Sequence, residues 1–263
     1  MKKAFMVGIL LSIIIPCIGT TIVLKRLSMI GDALSHASLA GVSAGLIMSI
    51  NPVLGAIIAC ILAALSVEAI RKKIPQYSEV SIAIITSACV GLAGVLSGFI
   101  KNVTSFNSFL FGSIVAISDI EVKMTIIVSI VVIISTILLY KELMYISFDE
   151  ESAKLSGVNV SAINFVFTIL TAITVSVASR TVGALIVSSL MVVPVATSIQ
   201  VSRSYKQVII ISVLYAFFEV VIGLTMSYYI RINGAGLKPG GTIVLIAVIG
   251  FLLTSAIKNI IRK

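Results

Sequence analysis

The stretch AFMVGILLSIIIPCIGTTIVL, residues 4–24, carries no charged side chain, and it is as long as the ~20 residues a helix needs to cross a bilayer. No A-x-A-like cleavage site follows it, so it reads as a retained spanning helix and not as a removed signal. Outward from it, further uncharged stretches cover 53–67, 80–100, 124–140, 155–179, 181–202 and 239–257. Two more spans carry ionisable residues: 29–50 holds Asp32 and His36, and 207–230 holds Glu219. Residues 102–118 are apolar too, but read as a loop with an interfacial or re-entrant helix. The expected fold class is all-α, a polytopic membrane protein with about eight to nine transmembrane helices. No linker or repeat divides the chain, which reads as a single transmembrane domain over residues 1–263.

Composition excludes the soluble alternatives. Hydrophobic residues make up 59% of the 263 positions and charged ones 11%, against about 25% charged in an ordinary soluble domain. Mean hydropathy is +1.21. Disorder and coiled coil are excluded on the same grounds. The net charge of +9 does not point to nucleic acid, because the basic residues fall in short clusters between apolar runs. With nine crossings, Lys25, Arg26, Arg71, Lys72, Lys73, Lys141, Lys154, Arg203, Lys206, Lys258, Arg262 and Lys263 share one side. The positive-inside rule makes that side cytoplasmic, with the C-terminus inside and the chain a multi-pass protein of the plasma membrane. Cys17, Cys60 and Cys89 sit in apolar runs without metal-ligand spacing and read as packing residues. Ala33, Ala37, Gly41 and Gly45, and again Gly94 and Gly98, recur at the four-residue spacing that lets helix backbones approach closely.

Asp32 and His36 lie four apart, on one helix face with β-carbons about 5–6 Å apart. His36 is the only histidine of the chain, and a carboxylate at mid-membrane costs about 2.5–3.5 kcal/mol even on the lenient insertion scale. Carboxylate plus imidazole suits zinc, manganese or iron(II). The alternative is an Asp–His hydrogen bond that holds two helices in register. Two ligands do not complete a coordination shell, and a symmetric dimer would supply a second pair near its two-fold axis. Glu219 is a second cation contact, a proton-linked group, or a carboxyl kept neutral by burial, with the last reading preferred. Arg180 reads as an interfacial residue at an outer turn, and Glu68 and Glu79 as solvated partners of the basic cluster at 71–73. No nucleotide-binding, HExxH or serine-nucleophile pattern is present. ATP-driven transport would need a second chain, docked on the short amphipathic helix expected at 148–158 or on the segment 194–206.

These residues resemble the metal-ion permease family of ATP-binding-cassette importers. The resemblance rests on GDALSHASLAGV (31–42), LFGSIVAIS (110–118), SFDEESAKLSGV (147–158), VGALIVSSLMVVPVATS (182–198) and GLTMSYY (223–229), in that order. It implies a homodimeric permease working with cytoplasmic ATP-binding subunits and an extracellular metal-binding delivery protein. It also implies metal coordination by Asp32 and His36 during transit. Coupling to the ATPase falls, by the same resemblance, on a cytoplasmic loop holding Pro194, Ala196, Thr197, Ser198, Arg203 and Ser204, with Asp149 and Glu150 beside it. The chain departs from the family at Val195, where the loop more often reads PAAT, and at the longer outer turn 232–241. The expected function is the permease subunit of an importer for zinc or manganese, with iron also open. No cofactor is bound permanently, the metal being cargo, and ATP hydrolysis is left to a separate subunit. A proton-coupled secondary transporter using Glu219 is the alternative. An intramembrane metalloenzyme would need a third ligand and a base that the sequence does not offer.

Overall fold

A computed structural model describes residues 2–74, 77–99, 117–232 and 235–261. The helices are α1 (Lys2–Leu24), α2 (Ile30–Ile47), α3 (Pro52–Lys73), α4 (Ser78–Ser97), α5 (Asp119–Leu138), α6 (Tyr140–Phe148), α7 (Glu150–Leu155), α8 (Val160–Val182), α9 (Ala184–Val201), α10 (Tyr205–Tyr229) and α11 (Pro239–Ile261). A two-residue antiparallel pair, β1 (Arg231–Ile232) and β2 (Ala235–Gly236), joins the last two helices. Seven of the described helices are long and apolar enough to cross a membrane, and α9 contributes a shorter apolar helix over Ile186–Val201. With α2, these give the all-α, polytopic bundle the sequence leads one to expect. The re-entrant reading of 102–118 and most of the LFGSIVAIS motif lie outside the described residues.

Apolar length makes the helices, and polar caps end them. Asn51 accepts from Val53 N ahead of Pro52, which sits at the first helical positions of α3, where its missing N–H costs nothing. Ser118 and Glu121 form a reciprocal capping box at α5. Asp149, Asn159 and Ser204 cap α7, α8 and α10 through their side chains. Gly183, at φ 99°, is the single residue between α8 and α9, a backbone conformation that glycine adopts without strain. Within the bundle, hydroxyls return to the preceding turn: Thr20 donates to Pro16 O, Ser35 to Gly31 O, and Thr174 to Leu170 O. Such bonds satisfy polar side chains where no water is available.

The core is built around α1, 67% of whose apolar window is buried, against 11% for α11 and 17% for α4. α2 packs against α3, α4, α8 and α9. A β-carbon on Gly41 would strike the Gly55 carbonyl, and one on Gly55 would strike the Gly41 carbonyl, so α2 and α3 touch backbone to backbone. The expectation of equally close packing at Gly94 and Gly98 is corrected. Among the described residues nothing lies within 4 Å of a β-carbon added at Gly94, and only Val95 O approaches Gly98. Spacing alone marks a helix face without saying whether a neighbour covers it.

Candidate metal centre and polar networks

Asp32 falls in the first turn of α2, where the positive end of the helix favours a carboxylate. His36 follows one turn later. Their side chains are about one-third exposed, and His36 Nε2 lies 3.7 Å from Asp32 Oδ2. That separation is too long for the hydrogen bond of the alternative reading. It suits two ligands of one ion, since bonds of ~2.1 Å at a tetrahedral angle hold ligand atoms about 3.4 Å apart. Among the described residues no group of three or more His, Cys, Asp and Glu side chains is gathered. One chain therefore offers half a shell among them. Along the same helix, Gly41 packs backbone to backbone on α3, and Cys60 Sγ donates to Leu34 O at 3.1 Å. The cysteine is buried and packs, as the sequence suggests.

His36 also lines a small cleft with Ser35, Ser38, Ser179 and Arg180. Arg180 Nε donates to Glu121 Oε1 at 2.6 Å, and both side chains are largely buried. Arg180, expected as an interfacial residue, is thus partnered by the Glu121 carboxylate and lines the same cleft as the histidine. Glu219 is 3% exposed, and among the described residues neither of its carboxyl oxygens has a hydrogen-bond partner. It lies apart from Asp32 and His36 in sequence and on another helix, α10.

A second network sits where the turn after α1 meets α3, α7 and α8. Glu150, on α7, accepts from Lys25 Nζ at 2.8 Å, Asn164 Nδ2 at 2.9 Å and Arg71 Nη2 at 3.4 Å, all on Oε1. Arg71 also forks onto both oxygens of Glu68 at 3.0 Å. The expectation that Glu68 is solvated is corrected, since its side chain is 12% exposed. Burial pushes the Glu150 carboxyl up, but the Lys25 ammonium, Asn164 and Arg71 outweigh it and hold the carboxyl at about 2. Asp149 is held low by its bonds from Ser152 and Glu151 N, with which it caps α7. The short helix expected at 148–158 is present as α7, followed by Gly157 at φ 85°.

The segment beginning at Pro194 differs from expectation. Pro194, Ala196, Thr197 and Ser198 are not in a loop but inside α9, which runs to Val201. Thr197 and Ser198 are fully buried and donate to Val193 O and Val195 O. Only Ser202, Arg203 and Ser204 leave the helix, with Arg203 and Ser204 exposed. Membrane helices tolerate an internal proline because neighbouring groups satisfy the freed carbonyl, so proline does not mark a helix end here. Sequence reading also passed over Lys25, Asn164 and Glu121. A lysine at the very end of an apolar run and an asparagine inside another were the available signals.

Residues 1–258 match the model of the ABC 3 transport family. The chain is 33% identical over 254 residues to the manganese transport system membrane protein MntC of Listeria monocytogenes, covering 96% of this chain and 89% of that one. It is 27% identical over 228 residues to the high-affinity zinc uptake system membrane protein ZnuB of Haemophilus influenzae, covering 86% and 87%. The solved structure of PsaBC from Streptococcus pneumoniae in complex with Fab superposes with a TM-score of 0.83 at 29% identity, covering 96% of this chain and 90% of that one.

Proposed function

The chain belongs to the ABC 3 transport family, and we propose that it is the membrane-spanning permease of an ATP-binding-cassette importer for manganese or zinc ions. The observation that carries the reading is the Asp32–His36 pair, 3.7 Å apart on a helix anchored backbone to backbone. The pair is a half-shell. Two copies of the chain facing each other across a two-fold axis would bring two Asp32 and two His36 side chains to one ion, a weak, transient site from which the cation can leave. An extracellular binding protein delivers the ion, and two ATPase subunits on the basic, cytoplasmic end drive the alternation. The C-terminus lies on that same side.

Coupling to the ATPase runs through the segment from Pro194 to Ser204. Arg203 and Ser204 are its exposed contact, while Pro194, Ala196, Thr197 and Ser198 form its buried root in α9. Asp149, which caps α7, and Glu150, its first residue, belong to the same docking face in this reading. The Glu150 network reaches Lys25, the first residue after α1, and seven residues on from Lys25 the chain arrives at Asp32. A push on α7 therefore has a short route, through Lys25 and the turn after it, to the start of α2. The chain hydrolyses no ATP itself and holds the metal only as cargo.

The experiment is competitive uptake of radioactive manganese and zinc by cells carrying the intact system, with the wild type set against Asp32→Ala, His36→Ala. Loss of uptake in the double variant, with membrane insertion and ATPase association intact, is expected and identifies the cargo. Uptake unchanged by both substitutions would remove the transit site.

A further inference from the structure

A groove of about 490 Å³ opens on the side of the bundle, within the ~300–1,000 Å³ typical of small-molecule sites. Cys17 of α1 forms its floor, Ile133 and Ile137 of α5 one wall, and Ile210 of α10 the other. α1 packs against both flanking helices. Ile137 is 69% and Ile210 49% exposed. On spanning helices such side chains face lipid.

Tyr140 and Lys206 line the same groove at one end. From Tyr140 the chain leads back through one and two turns of α5 to Ile137 and Ile133, and from Lys206 one turn of α10 leads to Ile210. The tyrosine is held in place: its ring lies 5.5 Å from that of Tyr205, which packs on Phe148 at 6.4 Å, and Tyr205 Oη is 3.0 Å from Thr21 Oγ1. Tyrosines concentrate at headgroup depth. Lys206 is exposed there, and the ion pairs among the described residues do not include it.

We propose that this groove binds one anionic phospholipid from the leaflet at the basic end of the bundle. Its phosphate sits on the Lys206 ammonium, and one acyl chain lies along Cys17, Ile133, Ile137 and Ile210. Charge decides the occupant. A zwitterionic headgroup would bring its own cation against Lys206, where Arg203 and Lys141 already add positive charge nearby in the chain. Soluble phosphate would leave the apolar walls bare, and a second copy of this chain would strand the lysine in an apolar contact.

The test is native mass spectrometry of the full-length protein, purified in mild detergent and exchanged into phosphatidylglycerol or phosphatidylcholine. Wild type is expected to keep one phosphatidylglycerol in preference to phosphatidylcholine. Lys206→Gln should weaken that retention about fivefold, the share of one lysine near a charged surface. Ile137→Trp, which fills the groove without altering charge, should lower retention of both lipids. Both side chains are exposed, and thermal unfolding checks that each variant is folded. Equal retention of the two lipids by wild type, or phosphatidylglycerol retention unchanged in both variants, overturns the proposal. Efficient cross-linking between copies through Ile137→Cys does so too, by showing that a second copy covers the groove.

Discussion

Lys25 Nζ lies 2.8 Å from Glu150 Oε1, and the lysine side chain is only 6% exposed. A nearly buried ammonium is therefore held by one carboxylate atom, which Asn164 and Arg71 share, and by Asn164 Oδ1 at 2.8 Å. Breaking a buried pair by removing one partner costs about 3–5 kcal/mol, and the partial exposure of Glu150 discounts this to about 1–3 kcal/mol. Glu150→Gln keeps the volume and an acceptor but removes the charge. The expected outcome is a lower unfolding temperature in detergent together with reduced metal uptake. A variant that matches wild type in both would show that the network does not couple α7 to the end of α1.

The pH dependence of that contribution follows from its sign. The folded carboxyl titrates at about 2, below the ~4.3 of a free glutamate. A depressed acid stabilises fully above the unfolded value and loses its contribution as pH falls through the folded one. The stability difference between wild type and Glu150→Gln should thus be flat from pH 8 to pH 5, narrowing only below about pH 4.3. A difference that shrinks between pH 8 and pH 6 would contradict an ionised Glu150 held by Lys25.

Two glycines of similar sequence context separate by their surroundings. At Gly41 an added β-carbon meets the Gly55 carbonyl, with Ala59 Cβ at 2.6 Å and Ala56 Cα at 2.8 Å. Because two of these three are backbone atoms, relief requires the helices to part. Gly41→Val should cost at least the ~1–3 kcal/mol of an overpacked core and displace Asp32 and His36 with α2. Gly94→Ala meets none of the described residues and should be neutral or stabilising. Thermal unfolding and uptake of the two variants decide the matter, and a harmless Gly41→Val would refute the backbone contact.

Much of this bundle was legible because apolar length and charge are one-dimensional signals. The run at 4–24 became α1, and the spacing of Asp32 and His36 put them on one face. Helix ends were less legible. Pro194 reads as an exit from the membrane by propensity, yet lies inside α9, where burial and side-chain bonds override it. The Glu150 network joins Lys25 from the turn after α1, Arg71 from α3 and Asn164 from α8, all distant from one another in sequence, and no local pattern announces that meeting. Gly94 shows the converse limit: a periodic small residue whose face no other part of the described chain covers.

The buried root of the coupling segment and its exposed tip respond differently to substitution. Thr197 is fully buried, so Thr197→Arg puts a guanidinium into a packed bundle and should abolish folded protein instead of uncoupling it. Arg203 is exposed beside the cap of α10. Arg203→Glu should therefore leave unfolding unchanged while reducing ATPase association and uptake together. Pull-down of the ATPase subunit gives the deciding measurement, and normal association with normal uptake would remove Arg203 from the docking surface.

Glu219 distinguishes the importer from a proton-coupled carrier. Its carboxyl is buried on α10, and neither oxygen has a hydrogen-bond partner among the described residues. An unpaired carboxylate in such a place is strongly disfavoured, whereas a neutral amide of the same shape is buried at about the cost of a neutral carboxyl. Glu219→Gln should thus fold with stability within about 1 kcal/mol of wild type, the scale of one hydrogen bond. In an importer driven by ATP, metal uptake should survive and stay insensitive to a collapsed proton gradient as long as ATP is held constant. If the folded variant instead loses uptake, and wild-type uptake falls with the gradient at constant ATP, the carboxyl carries protons and the carrier reading takes precedence.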